Sequence, residues 1–171
     1  MVLHSELEAD ACILLMHLRG MASRLRELPE DKWDWTYAPP APTPRTLALH
    51  ALAWLQCDRQ HIANPDASTH RPVLEPPSDP EAICAAMELE ADAWEALLKT
   101  LTPADLERDG RQFGHPDGAM NVRGFIAHMI QNVIYKHGQF ATIFFALGMD
   151  GDGPYTAPFP NPIYKELLGI G

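Results

Sequence analysis

Three polar residues recur at helical spacing in a long apolar segment near the end of the chain. His128, Asn132 and Lys136 are four residues apart, so on a helix they form one row. Asn132 and Lys136 lie within a face that is otherwise apolar, formed by Phe125, Met129, Phe140, Ile143 and Leu147. Because burial disfavours the charged form of a lysine, Lys136 requires a pocket or a specific partner. We expect a carboxylate such as Asp58 or Glu90, or an anionic ligand, to be that partner.

A second apolar segment carries a histidine on its inward face. This face consists of Leu47, His50, Ala51, Trp54, Cys57, Asp58 and His61. Two interpretations of His50 remain open: it is a core histidine with one hydrogen-bond partner, or it is a ligand-binding residue. The other histidines, namely His4, His17, His70 and His115, are predicted to lie on the surface or in loops.

These residues belong to four amphipathic segments that are separated by proline-rich connections. The predicted helices run from about 5 to 28, from Pro44 to about 63 after the N-cap Thr43, from about 78 to 102, and from about 121 to 147. Gly148 terminates the last helix. No segment has the pattern of a β-strand. The sequence predicts an all-α protein, a four-helix bundle in a single domain, 1–171, with 149–171 as a C-terminal strap.

Composition narrows the classes of partner. The 171 residues include 23 acidic and 13 basic side chains, which gives a formal net charge of −10. This charge repels phosphate backbones and anionic lipid surfaces, so we expect neither nucleic-acid nor membrane binding. No apolar run approaches the roughly 20 residues that a membrane-spanning helix needs.

Three cysteines, Cys12, Cys57 and Cys84, are widely spaced and odd in number. This pattern fits neither a disulfide scaffold nor a thiolate zinc site, so we expect three free thiols. The acidic residues Glu6 and Glu8 occupy the region where a secretory signal would be basic. We therefore expect a cytoplasmic protein.

Two stretches carry a resemblance to a known family. Trp35-Thr36-Tyr37-Ala38-Pro39-Pro40 followed by Thr43 to His50 resembles the start of the second helix of DinB/YfiT-like proteins. Gly138-Gln139 resembles the end of that family's last helix, where His137 takes the place of an arginine. Helix order and total length are similar over nearly the whole chain. The resemblance implies a DinB-like four-helix bundle and a homodimer, which apolar residues exposed on the long fourth helix would also favour.

The resemblance also implies a divalent metal site made by one histidine of the second helix and two of the fourth. His50 matches the first ligand, but Asn132 and Lys136 occupy the other two positions. An amide is a weak ligand and an ammonium has no lone pair. If a metal is present, we expect a rearranged site in which His50 and His128 are the ligands. His61 lies three turns from His50, which is too far to share one ion.

The sequence thus predicts a polar pocket that binds a small anionic ligand without a metal cofactor. Its residues are His50, Asn132 and Lys136, with His128 and Tyr135 as further candidates. For family members that keep three histidines, the resemblance implies metal-dependent thiol transfer or hydrolysis, with low-molecular-weight thiols as partners. Two alternatives stay open. One is a thiol transferase or hydrolase that uses zinc, nickel, manganese or iron at a rearranged histidine site, and the other is a non-catalytic dimeric bundle.

Overall fold

The structure is a computed structural model that describes residues 5–64, 76–109 and 120–149. Its four α-helices are α1 (Glu6–Glu27), α2 (Pro44–Ala63), α3 (Pro80–Leu98) and α4 (Val122–Ala146). Short 3-10 helices span Glu30–Lys32 and Pro103–Glu107. Within the described ranges there is no β-strand, and only an isolated bridge joins Asp109 to Asn121. The predicted all-α bundle is confirmed.

Side chains at the helix starts explain why these boundaries fall where the sequence predicts them. The Thr43 hydroxyl accepts a hydrogen bond from the Thr46 backbone N–H, and the Thr46 hydroxyl accepts one from the Thr43 N–H. This reciprocal capping satisfies two backbone donors that a helix start leaves unpaired. Asp79, rather than Ser78, caps α3, and Asn121 caps α4. The third helix ends at Leu98, earlier than the predicted end near 102.

The helices bury their apolar faces against one another. α1 packs against α3 and α4, and α2 packs against the same two helices. Trp94 is fully buried, and its indole N–H donates to the Leu55 carbonyl at 3.1 Å. The buried Glu90 carboxylate accepts from Arg59, with 3.0 Å between Nη2 and Oε2. These contacts hold α2 against α3 and leave the opposite side of α2 for α4.

Three further predictions concern the C-terminal strap, membrane-spanning helices and the cysteines. The predicted C-terminal strap lies outside the described residues, apart from Met149. Among the helices described, none combines the length and apolar character needed to cross a bilayer. Cys12, Cys57 and Cys84 are all free thiols, as predicted.

Removing the N-cap of α2 should weaken the fold without changing its architecture. We expect Thr43→Ala to lower the free energy of unfolding by about 1 kcal/mol, because the Thr46 N–H loses its side-chain acceptor. Thr43→Ser retains the hydroxyl and should cost much less. Urea denaturation of both variants measures the difference, and equal losses would show that the capping hydroxyl contributes nothing.

Candidate functional site

The polar row predicted on the last helix faces α2. The His128 Nδ1 lies 2.6 Å from the Asp58 Oδ2, and the His128 ring meets the Trp54 ring edge-to-face with 5.4 Å between centroids. The Trp54 indole N–H donates to the His50 Nε2 at 2.7 Å. A continuous series of polar and aromatic contacts therefore runs along the α2–α4 interface from Asp58 to His50.

Asp58 holds the orientation of the His128 ring. Asp58 is only 1% exposed. Burial raises the pKa of its carboxyl, while the hydrogen bond from His128 lowers it. We expected Asp58 to pair with Lys136, and this is wrong because His128 occupies its Oδ2. With Nδ1 directed at the carboxylate, Nε2 is the His128 nitrogen left for any further partner.

The hydrogen bond from Trp54 fixes the tautomer of His50. An indole N–H can only donate, so the His50 Nε2 is the acceptor and a neutral ring carries its proton on Nδ1. The pKa of His50 is lowered by burial and by the positive charge of Lys136. A lowered pKa favours the neutral ring of His50, with its N–H donor at Nδ1. The residue is exposed, in contrast to the inward position predicted for it.

Lys136 is buried without a countercharge from the described residues. The residue is only 6% exposed, and burial lowers its pKa. Its ammonium lies 3.4 Å from the Gln139 Oε1 and 5.4 Å from the centre of the Tyr135 ring. No carboxylate in the described part of the chain pairs with it, since Asp58 contacts His128 and Glu90 contacts Arg59. The expectation of a carboxylate partner is thus not met by either predicted residue.

Asn132 places an unpaired acceptor on the same face. Its Oδ1 is buried and, within the described residues, has no hydrogen-bond partner. Asn132 precedes Lys136 by one helical turn, so both side chains lie along one strip of α4.

Tyr135 occupies a different position from the other predicted pocket residues. It is 62% exposed, and its hydroxyl accepts from the Gln139 Nε2 at 3.2 Å. Tyr135 therefore lies at the rim of the site, where its ring contacts the lysine end. Together, His50, Asn132, Lys136 and the Asp58–His128 pair make up the α2–α4 site.

The best-defined cavities lie elsewhere. A groove of about 720 Å³ between α1 and α3 is lined mainly by apolar side chains, and a cavity of about 210 Å³ adjoins Trp33. No residue of the α2–α4 site lines either of them.

The residues present do not fit the divalent ion that the family resemblance implies. The His50 Nε2 already accepts from Trp54, Lys136 has no lone pair when charged, and an amide oxygen binds most transition metals weakly. In the described ranges, no group of three histidine, cysteine or acidic side chains could hold a metal ion.

The structure also contains a buried pair of histidines that was not predicted from the sequence. His17 of α1 and His137 of α4 are both buried, with 3.3 Å between their Nδ1 atoms and their rings edge-to-face. The prediction that His17 lies on the surface is wrong. Its spacing of three residues from Leu14 and four from Met21 places it on the buried face of α1, and this signal could have identified it.

Burial lowers the pKa of both rings to about 4. For His17 the charge of His137 adds to the effect, and for His137 the charge of Arg24 does so. Both histidines are therefore neutral near pH 7, and one ring can donate from Nδ1 to the other.

Comparisons with known proteins concern the family and the fold of the chain. Residues 14–140 match the sequence model of the DinB superfamily. The fold is similar to the crystal structure of the DinB-like protein YjoA from Bacillus subtilis, with a TM-score of 0.63, 16% identity, and coverage of 81% of this chain and 91% of that one. At this identity the likeness concerns the fold. No curated protein sequence matches the chain.

The buried histidine pair should make stability depend on pH. The folded pKa values near 4 lie below the unfolded value near 6.5, so the unfolded state binds more protons between these limits. We expect the free energy of unfolding to fall as the pH is lowered from 7 to 5, and the double variant His17→Gln/His137→Gln to show a smaller fall. Urea denaturation at pH 7 and at pH 5 measures the free energy of unfolding of each protein. Lys99→Gln serves as a surface control, and equal pH dependence in the double variant would contradict the assignment.

Proposed function

The chain belongs to the DinB superfamily, and we propose that it binds a small anionic ligand at the α2–α4 site. The observation that carries this proposal is the Lys136 ammonium, which is buried next to His50 and has no carboxylate partner in the described ranges. A lysine in this state is costly unless an anion pairs with it. An anionic ligand supplies that missing charge.

The neighbouring donor supports the same conclusion. The His50 tautomer set by Trp54 leaves an N–H donor at Nδ1, on a ring whose pKa is lowered by the charge of Lys136, so we expect an anion to accept hydrogen bonds from both side chains. Hydrogen bonds that involve a charged group contribute about 1.5–3 kcal/mol each. Two such bonds are enough for a weak but specific small-molecule site.

The most direct test removes the lysine charge. We expect Lys136→Met to abolish binding of small carboxylates and of inorganic phosphate, while the free energy of unfolding stays equal or rises because a poorly paired charge is replaced by an apolar chain. Chemical-shift titration of backbone amides in α2 and α4 measures binding, and urea denaturation measures stability.

The matched control for this test is Lys99→Met. Lys99 pairs with Glu95 on the exposed face of α3, so its replacement should leave anion binding unchanged. Equal anion affinity in the wild type and in Lys136→Met would overturn the proposed function.

One observation favours a second candidate, the metal-dependent transferase or hydrolase with a rearranged site. Histidines that bind metals commonly donate their other ring N–H to a carboxylate, and His128 is held by Asp58 in this way. Binding through His50 and His128 would require His50 to release the Trp54 hydrogen bond. For this reason we rank it below anion binding.

Metal analysis separates the two candidates. We expect the purified protein to hold far less than one equivalent of zinc, nickel, manganese or iron. The double variant Asn132→His/Lys136→His should gain metal affinity, because three neutral imidazoles suit these ions. Stoichiometric metal in the wild type that is lost in His128→Gln would instead support the second candidate.

We also propose a homodimer that uses the outer face of α4. Ile134 and Phe145 are exposed and three turns apart, so they share one side of the helix.

Sedimentation at micromolar concentration should give about twice 19.0 kDa, and Ile134→Glu/Phe145→Glu should shift the protein to a monomer. Leu89→Glu, on the exposed face of α3, is the control that should remain dimeric. A wild-type protein that sediments as a monomer would contradict the proposal.

A further inference from the structure

The α2–α4 site contains more than the two donors that an anion requires. The buried Asn132 Oδ1 is an acceptor without a partner in the described residues, and it lies one turn from Lys136. A simple carboxylate has only acceptor atoms when ionised, so it would satisfy Lys136 and His50 but leave this oxygen unpaired. An unpaired buried acceptor carries the full cost of its lost hydration.

We propose that the preferred ligand is a small carboxylate that also carries a neutral hydrogen-bond donor, that is, a short hydroxy acid or mercapto acid. This inference rests on the proposed function, and it names the substrate class of the same site. The carboxylate accepts from the Lys136 ammonium and from the His50 Nδ1–H. The hydroxyl or thiol donates to the Asn132 Oδ1.

Helix geometry limits the size of this ligand. Side chains one turn apart have Cβ atoms about 5–6 Å from each other. An acid of two or three carbons with its donor on the α- or β-carbon is short enough to stay within about one turn of α4, from Asn132 to Lys136. The Trp54 ring packs against His128, one turn before Asn132 on the same helix.

The charges around the site argue against an ammonium as the donor. An amino acid would bring a second positive charge close to Lys136, and the buried carboxylate of Asp58 is already engaged by His128. A neutral hydroxyl or thiol avoids this repulsion. The site should therefore distinguish lactate or mercaptoacetate from glycine as well as from propionate.

The test compares matched acids on the wild-type protein. Lactate and mercaptoacetate are the donor-bearing probes, propionate and acetate lack the donor, and glycine carries an ammonium. We expect the first two to bind about tenfold more tightly than the others, as measured by amide chemical-shift titration. This comparison uses the intact chain and needs no variant.

The variant Asn132→Leu tests whether the Asn132 oxygen causes the preference for acids with a donor. Leucine has a similar size and no acceptor, so lactate and propionate should bind this variant with equal affinity, while Gln131→Leu on the exposed side of α4 should keep the preference. Circular dichroism confirms the folding of each variant. If Asn132→Leu does not fold, the ratio of the lactate and propionate affinities of the wild type still tests whether the site prefers a ligand with a donor.

The possible failures are distinct. If no carboxylate binds the wild type, the proposed function itself is wrong. If all the acids bind with equal affinity, or if propionate binds more tightly than lactate, anion binding stands and the role of the Asn132 oxygen is overturned.

Discussion

The pairing of polar groups between α2 and α4 is the constraint on which the site depends. Buried polar atoms in a folded protein almost always have hydrogen-bond partners. Here Asp58 of α2 pairs with His128 of α4, while Trp54 and His50 pair with each other along α2. The first contact uses the carboxylate that could otherwise have neutralised Lys136. The lysine is thus left with a charge that no described residue compensates.

Asn132 and Lys136 change the charge of the ligand that their two positions on α4 would favour. Three neutral imidazoles would offer lone pairs to a cation, whereas an ammonium and an imidazole N–H offer donors to an anion. When protonated, the lysine side chain brings a positive charge to one of the positions where the family resemblance implies a metal ligand. If the chain binds an anion as proposed, a change of two side chains on one helix is enough for the same bundle geometry to bind the opposite class of ligand.

The contact between α1 and α4 shows a different solution to the burial of polar groups. His17 and His137 are close enough to share a proton, and both remain neutral because burial lowers their pKa. Arg24 adds a positive charge nearby, but Glu27 neutralises it at 2.6 Å. This interface stabilises the bundle at neutral pH without any need for a ligand. The α2–α4 interface, in contrast, has donors and one acceptor that are still available.

The sequence by itself determined the helices and the row of polar residues on α4. Proline positions, N-cap residues and the period of the apolar residues are local features, and they predicted the limits of α2 and α4 to within one residue. What the tertiary structure decided was which polar groups meet. Asp58 faces His128 rather than Lys136, Glu90 pairs with Arg59, and His17 is buried against His137. Those pairings depend on the rotation and register of one helix against another, and these are set by the packing of the whole core rather than by the spacing of residues along any single helix.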